Sequence, residues 1–189
     1  MKLIDSFRRS AAQLRDLRSL TGASLLLALS ILLTYFFRLD FGGSLSVGLS
    51  FNATALMGML FGPVVTGLAN GLGDIIKCVL KPQGPYFFGY TFNAMLAGVI
   101  YGSFYYRKPL SLGRVFAAHL VVSLVCNVLL NTLCLSLLYG KAFMVLLPPR
   151  VIKNLIMWPI DSLIFFHIAK LLEAAGIFRF LGGRDQNRL

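Results

Sequence analysis

The chain has 189 residues, of which 57% are hydrophobic and 13% charged, with a mean hydropathy of +0.77. So little polar material cannot cover a water-soluble globule of this size. The composition is that of an integral membrane protein, and its long apolar runs, without short alternating segments, exclude a closed barrel and make the spans helical. The net charge of +11 does not point to nucleic acid, because the cations stand in short clusters between apolar runs, where topology signals lie.

At the amino end, Phe7, Ala11, Leu14 and Leu17 recur at helical spacing among Arg8, Arg9, Arg15 and Arg18. The pattern predicts a short interfacial helix on an anionic leaflet, with a plain basic topology signal as the alternative. Charges continue to Arg18 and no small-residue cleavage site follows, so a cleavable signal is not indicated. The first span is predicted over 20–37. A loop with Arg38, Asp40, Gly42 and Gly43 follows, and the alternation of Leu45, Val47 and Leu49 suggests an extended flap. Further spans are expected at 50–60, 63–80, 86–106, 112–139 and 149–172. The result is an all-α bundle of six transmembrane helices, one integral membrane domain over 20–175 between a basic segment 1–19 and a basic tail 176–189.

With both termini cytoplasmic, the inside cations are Lys2, Arg8, Arg9, Arg15, Arg18, Arg107, Lys108, Arg114, Lys170, Arg179, Arg184 and Arg188. The outside set is Arg38, Lys77, Lys81, Lys141, Arg150 and Lys153, so the count is twelve against six and obeys the positive-inside rule. The outside cations invite a local reason, which an anionic ligand arriving from that side supplies; Arg38, Lys81 and Lys141 also fit simple snorkelling to headgroups.

Polar residues inside the spans sort by helical geometry. Arg150, Lys153, Asn154, Met157 and Asp161 form one stripe on the last span. Pro149 suits a first helical turn, which places Arg150 and Lys153 at the positive helix end, a site for a carboxylate or phosphate. Pro159 should kink the helix beside Trp158, read as an aromatic wall for a flat ring with an interfacial anchor as the alternative. His119, Ser123, Asn127 and Asn131 repeat at intervals of four in the fifth span, with the two asparagines toward the outer half and His119 read as a packing residue. Asn70, Asp74 and Lys77 share a face of the third span, where Asp74 and Lys77 also make a plausible internal pair. Tyr86, Phe87, Tyr90 and Asn93 cluster at the outer start of the fourth span, and Phe51 and Asn52 at the start of the second. Gly67 and Gly71, and Gly98 and Gly102, are small-residue pairs for close helix approach, while Thr21, Gly22, Ser24 and Ala28 leave one side of the first span smooth. Cys78, Cys126 and Cys134 read as small core residues, with no disulfide framework or metal site indicated. No phosphate loop, HExxH or GxSxG occurs, and no inverted repeat of broken helices. Binding is supported and chemistry is not.

With "FGPVVTGLANGLGDII" entering the third span and a smooth first span, the chain resembles the membrane-embedded substrate-binding subunits, or S components, of energy-coupling factor (ECF) vitamin importers. "GYTFNAMLAGVIYG" and "LLPPRVIKNLIMWPI" look like the folate-specific, FolT-like branch. The resemblance implies a multi-pass protein of the bacterial plasma membrane that captures folate outside and needs no cofactor. It also implies a complex with a transmembrane coupling subunit and two ATPases, which hydrolyse the ATP while the S component reorients. The family's alanine-rich docking motif on the first helix appears only as Ser24 and Ala28.

The chemistry of folate suits the same residues. A pterin ring wants aromatic stacking and matched polar edges, which Trp158, Tyr90, Phe87, Asn131, Asn93 and Asn52 offer; the glutamate carboxylates want Arg150 and Lys153, with Asn154 and Asp74 completing the polar set. Which end of folate meets the cations stays open, since an arginine also bonds the pterin carbonyl. The competing readings are an S component for another anionic vitamin such as pantothenate, an intramembrane enzyme acting on lipid phosphate through Arg150, Lys153 and Asp161, and an assembly subunit whose polar faces bind only partners.

Overall fold

A computed structural model describes residues 3–36, 38–40, 46–48, 50–80, 86–140 and 143–174. Lys2, Gly42, Gly43, Leu45, Leu49, Lys81, Lys141, Arg179, Arg184, Arg188 and the whole tail 176–189 lie outside the described residues. The chain opens with helix α1 (Leu3–Gln13), then α2 (Leu17–Phe36). Asp16 caps α2: its Oδ2 accepts from the Ser19 hydroxyl at 2.8 Å and the Ser19 backbone N–H at 3.2 Å. The Ser19 hydroxyl, foremost, holds the Asp16 carboxyl below its usual pKa. Strands β1 (Arg38–Asp40) and β2 (Ser46–Gly48) pair antiparallel, Leu39 opposite Val47, so the backbone forms the extended flap that the alternation suggests.

Helix α3 (Ser50–Leu80) is nominally continuous but is broken at Gly62, whose backbone sits at φ 79°, ψ −174°. That region is essentially reserved for glycine, and Pro63 next to it has no N–H to continue a ladder. The Thr54 hydroxyl donates to Asn70 Oδ1 at 3.2 Å. Sixteen residues of straight helix would hold these two about 24 Å apart, so the chain folds back at Gly62 into two arms, 50–61 and 63–80. The predicted second and third spans are these arms.

Helix α4 (Phe88–Tyr105) runs antiparallel to the second arm. Glycines set the spacing: a Cβ on Gly98 would stand 2.7 Å from the Thr66 carbonyl oxygen, and one on Gly102 2.4 Å from Pro63 Cα. The fifth rod is composite, α5 (Leu112–Val122), a π-helical stretch (Ser123–Leu130) and α6 (Asn131–Tyr139). The wider π turn breaks the expected four-residue ladder: His119 and Ser123 are buried, whereas Asn127 is exposed and leaves that face. Helix α7 (Phe143–Ala174) starts six residues before Pro149, so Pro148 and Pro149 lie inside it. The expectation of Pro149 in the first turn is therefore corrected: Arg150 is two turns in, beyond the reach of the helix end's partial charge.

Among the described residues, four helices are long and apolar enough to cross a membrane: Leu17–Phe36, Ser50–Leu80, Leu112–Leu138 and Phe143–Ala174. The fold at Gly62 divides the second of these, and with α4 the described residues make six rods, α3 packing against α1, α2 and α4. One core joins Ala55, Tyr105, Val115, Cys126 and Phe165; the other packs Ala23 of α2 on Met57, Phe61 and Val65 of α3. Gly22 faces this second core, with the Phe61 ring 2.6 Å from where a Cβ would be, so it does not belong to the smooth outer face with Ser24 and Ala28, which are exposed. Leu25, Phe36, Val79, Met144, Val145 and Leu155 also point outward. So many exposed apolar side chains suit lipid, not water.

Candidate functional site

Arg150 is the residue around which a site can be built. It is only 8% exposed, although it is a cation on a helix otherwise apolar on that turn, and its Nε is buried with no hydrogen-bond partner. A buried guanidinium in so poor a dielectric is costly unless an anion or a dense set of acceptors meets it. Tyr90 of α4 lies within electrostatic range of the guanidinium. Tyr90 in turn meets Phe87 edge-to-face, ring centroids 6.1 Å apart. Gly89 lets the Phe87 ring in, because a Cβ there would sit 2.4 Å from that ring and 2.7 Å from Cys134 Sγ on α6. Arg150, Tyr90 and Phe87 thus gather where α4, α6 and α7 converge.

The other predicted residues have partners of their own. Asn154 donates through Nδ2 to the Arg150 carbonyl at 2.9 Å, one turn back on the same helix. Lys153 is partly buried and within electrostatic range of Asp161, which also faces Tyr101. Asn93 is 9% exposed; its Nδ2 donates to the Cys126 carbonyl at 3.0 Å, while its Oδ1 is buried without a partner. That same carbonyl accepts the Asn131 backbone N–H that closes the π turn, so Asn93 and Asn131 meet on one oxygen. Asn131 is partly buried and Asn52 is buried in the first arm of α3.

Two predicted residues are engaged elsewhere. Trp158 donates Nε1–H to the Phe116 carbonyl at 2.9 Å and meets the Phe116 ring edge-to-face at 5.5 Å, which ties α7 to α5. Asp74 accepts from the Thr91 hydroxyl at 2.9 Å, and Thr91 bonds the Tyr86 hydroxyl at 2.8 Å, while Lys77 donates to Ser30 of α2 at 3.1 Å. Asp74 and Lys77 therefore clip the second arm of α3 to α4 and α2 respectively. His119 is a packing residue: its Nδ1 lies 3.0 Å from both the Tyr105 hydroxyl and the Val115 carbonyl, with Phe51, Tyr101 and Phe165 rings around it. Sequence reasoning missed Tyr105 and Thr91, whose partners sit on other helices and leave no local signature.

The fold and this buried cation define a membrane binding protein, and comparison with known proteins identifies its kind. The family model for the ECF transporter substrate-specific component matches residues 18–169. Two similar curated proteins are called folate transporter FolT. The one from Clostridium novyi is 35% identical over 127 residues, covering 67% of this chain and 74% of the relative. The other, from Leuconostoc mesenteroides subsp. mesenteroides, is 34% identical over 153 residues, covering 77% of this chain and 81% of the relative. A solved structure described as FolT bound with folic acid shares 34% identity and a TM-score of 0.75, covering 80% of this chain and 92% of its own. The chain belongs to the family of substrate-specific components of ECF transporters.

Proposed function

We propose that this chain is the folate-binding component of an ECF importer, crossing the bacterial plasma membrane six times with both termini cytoplasmic. It captures folate from outside, needs no cofactor of its own, and works with a transmembrane coupling subunit and two ATPases that supply the energy. Arg150, Lys153, Asn154, Tyr90, Phe87, Asn93, Asn131 and Asn52 form its pocket, with Trp158 and Asp74 bracing the surrounding helices. The exposed small residues Ser24 and Ala28 meet the coupling subunit. The observation that carries the reading is the buried Arg150, its Nε without a partner, within electrostatic range of Tyr90, whose ring meets Phe87. Folate supplies what that place lacks: an anionic or carbonyl oxygen for the guanidinium and a flat ring for the aromatics. Support for folate over other anionic vitamins comes from relatives that carry its name.

The test is titration of the purified protein with folate and with pantothenate, followed by calorimetry. Folate alone should bind. Arg150→Ala should weaken folate binding by about 10- to 100-fold, as expected for loss of a charge-assisted bond of about 1.5–3 kcal/mol. Arg150→Lys should recover only part of it, since a point charge replaces a planar fork. Unchanged binding in Arg150→Ala, or binding of pantothenate in preference to folate, overturns the proposal.

A further inference from the structure

Helix α1 is divided into three sectors. Ser6, Ser10 and Gln13 face the bundle, and the first two are buried. Phe7, Ala11 and Leu14 form an apolar strip beside them, yet they are exposed. Arg8 and Arg9, with Asp5 and Ala12, occupy the far side, and Arg15 and Arg18 continue the exposed cations into the start of α2. A helix of a soluble protein buries its apolar strip on the protein. Here the small polar residues are buried and the apolar strip is left out, the disposition of a helix lying at a bilayer surface with protein on one flank.

The buried sector holds the fold at Gly62. Ser10 Oγ donates to the Phe61 carbonyl at 2.7 Å and accepts from the Val64 and Val65 N–H groups at 3.0 and 3.3 Å. These are backbone groups that the break strips of helical partners. Gln13 Nε2 donates to the Tyr106 hydroxyl at 3.2 Å, and Tyr106 is itself buried against Gly62, where a Cβ would meet Tyr106 Cδ2 and Ser10 Oγ at 3.0 Å each. The turn after Tyr106 brings Arg107, Lys108 and Arg114 to the same end of the molecule. The segments that flank Ser10, Gln13 and Tyr106 thus carry seven cations, Arg8, Arg9, Arg15, Arg18, Arg107, Lys108 and Arg114, against two carboxylates, Asp5 and Asp16, the second of which is occupied by Ser19.

We propose that α1 and the α4–α5 turn form one binding surface for anionic phospholipid headgroups, and that Ser10 and Tyr106 couple its occupancy to the joint at Gly62. The apolar strip Phe7–Ala11–Leu14 enters the acyl boundary while the arginines take phosphates. Each cation near an anionic surface adds about 1 kcal/mol of attraction, so the four exposed arginines suffice to change how firmly α1 docks. The proposal is independent of which ligand the other end of the bundle holds.

The full-length protein is placed in nanodiscs of phosphatidylcholine, or of phosphatidylcholine mixed with phosphatidylglycerol, and amide hydrogen exchange is followed. Phosphatidylglycerol should slow exchange over 3–13 and at Val64 and Val65 by at least about tenfold, and high salt should abolish the effect. Arg8→Gln/Arg9→Gln should lose most of the response while exchanging like the wild type in phosphatidylcholine. Ser10→Ala should keep the lipid response in α1 and lose it at Val64 and Val65. Equal exchange in both lipids, a full response in the double arginine variant, or protection that comes only from an added protein subunit overturns the proposal.

Discussion

Ser10 Oγ serves three main-chain groups across more than fifty residues of sequence. Ser10→Ala leaves those groups buried without a side-chain partner, which should cost about 1–3 kcal/mol. A lowered thermal midpoint in detergent, with unchanged helix content, checks it. Arg150 was legible from sequence as part of a polar stripe on an otherwise apolar span, and it is buried. Its helix-end position did not follow, because a proline suits a first turn but does not forbid six helical residues before it. Asn127 was misplaced for a different reason: strict four-residue spacing marks a face only where the turn holds 3.6 residues, and a π turn there rotates it outward.

At the scale of elements, α3 and α4 form the closest pair, with backbone touching backbone at Gly102. Gly102→Ala should therefore force the helices apart and cost about 1–3 kcal/mol, as overpacking does. Gly113→Ala, with nothing within 4 Å of the new methyl, should be neutral or slightly stabilising. Thermal melts of the two variants side by side give the comparison. The six rods were readable because apolar runs and glycine–proline punctuation are local signals. What joins them was not: Thr91 with Asp74, Lys77 with Ser30 and Trp158 with the Phe116 carbonyl are contacts between distant stretches, and a single sequence holds no trace of their pairing. For the same reason Trp158, which reads as a wall for a ring, is found donating its N–H to a neighbouring helix.

For the whole molecule, the distribution of cations between loops bears on orientation. The proposed topology, six crossings with cytoplasmic termini, would place the α4–α5 turn inside and the C-terminal end of α6 outside. In cells carrying a Cys78→Ala background, in which Cys126 and Cys134 are buried, a membrane-impermeant maleimide should label Gly140→Cys and spare Gly113→Cys until the cells are opened. The reverse pattern would invert the topology and place Arg150 on the inner side.

The fold at Gly62 also bears on how the chain gets into its membrane. The arm 50–61 is about 18 Å long at ~1.5 Å per residue, well short of a hydrocarbon slab of about 30 Å. Alone it is too short to bridge the two water layers, so it should insert together with the arm 63–80 as a bent unit. A nascent chain cut after residue 62 should leave the short arm accessible to protease in microsome-like vesicles, and one cut after residue 80 should shelter it. That outcome would make the two arms one unit of insertion, with the second pass complete only once the chain beyond Gly62 is made.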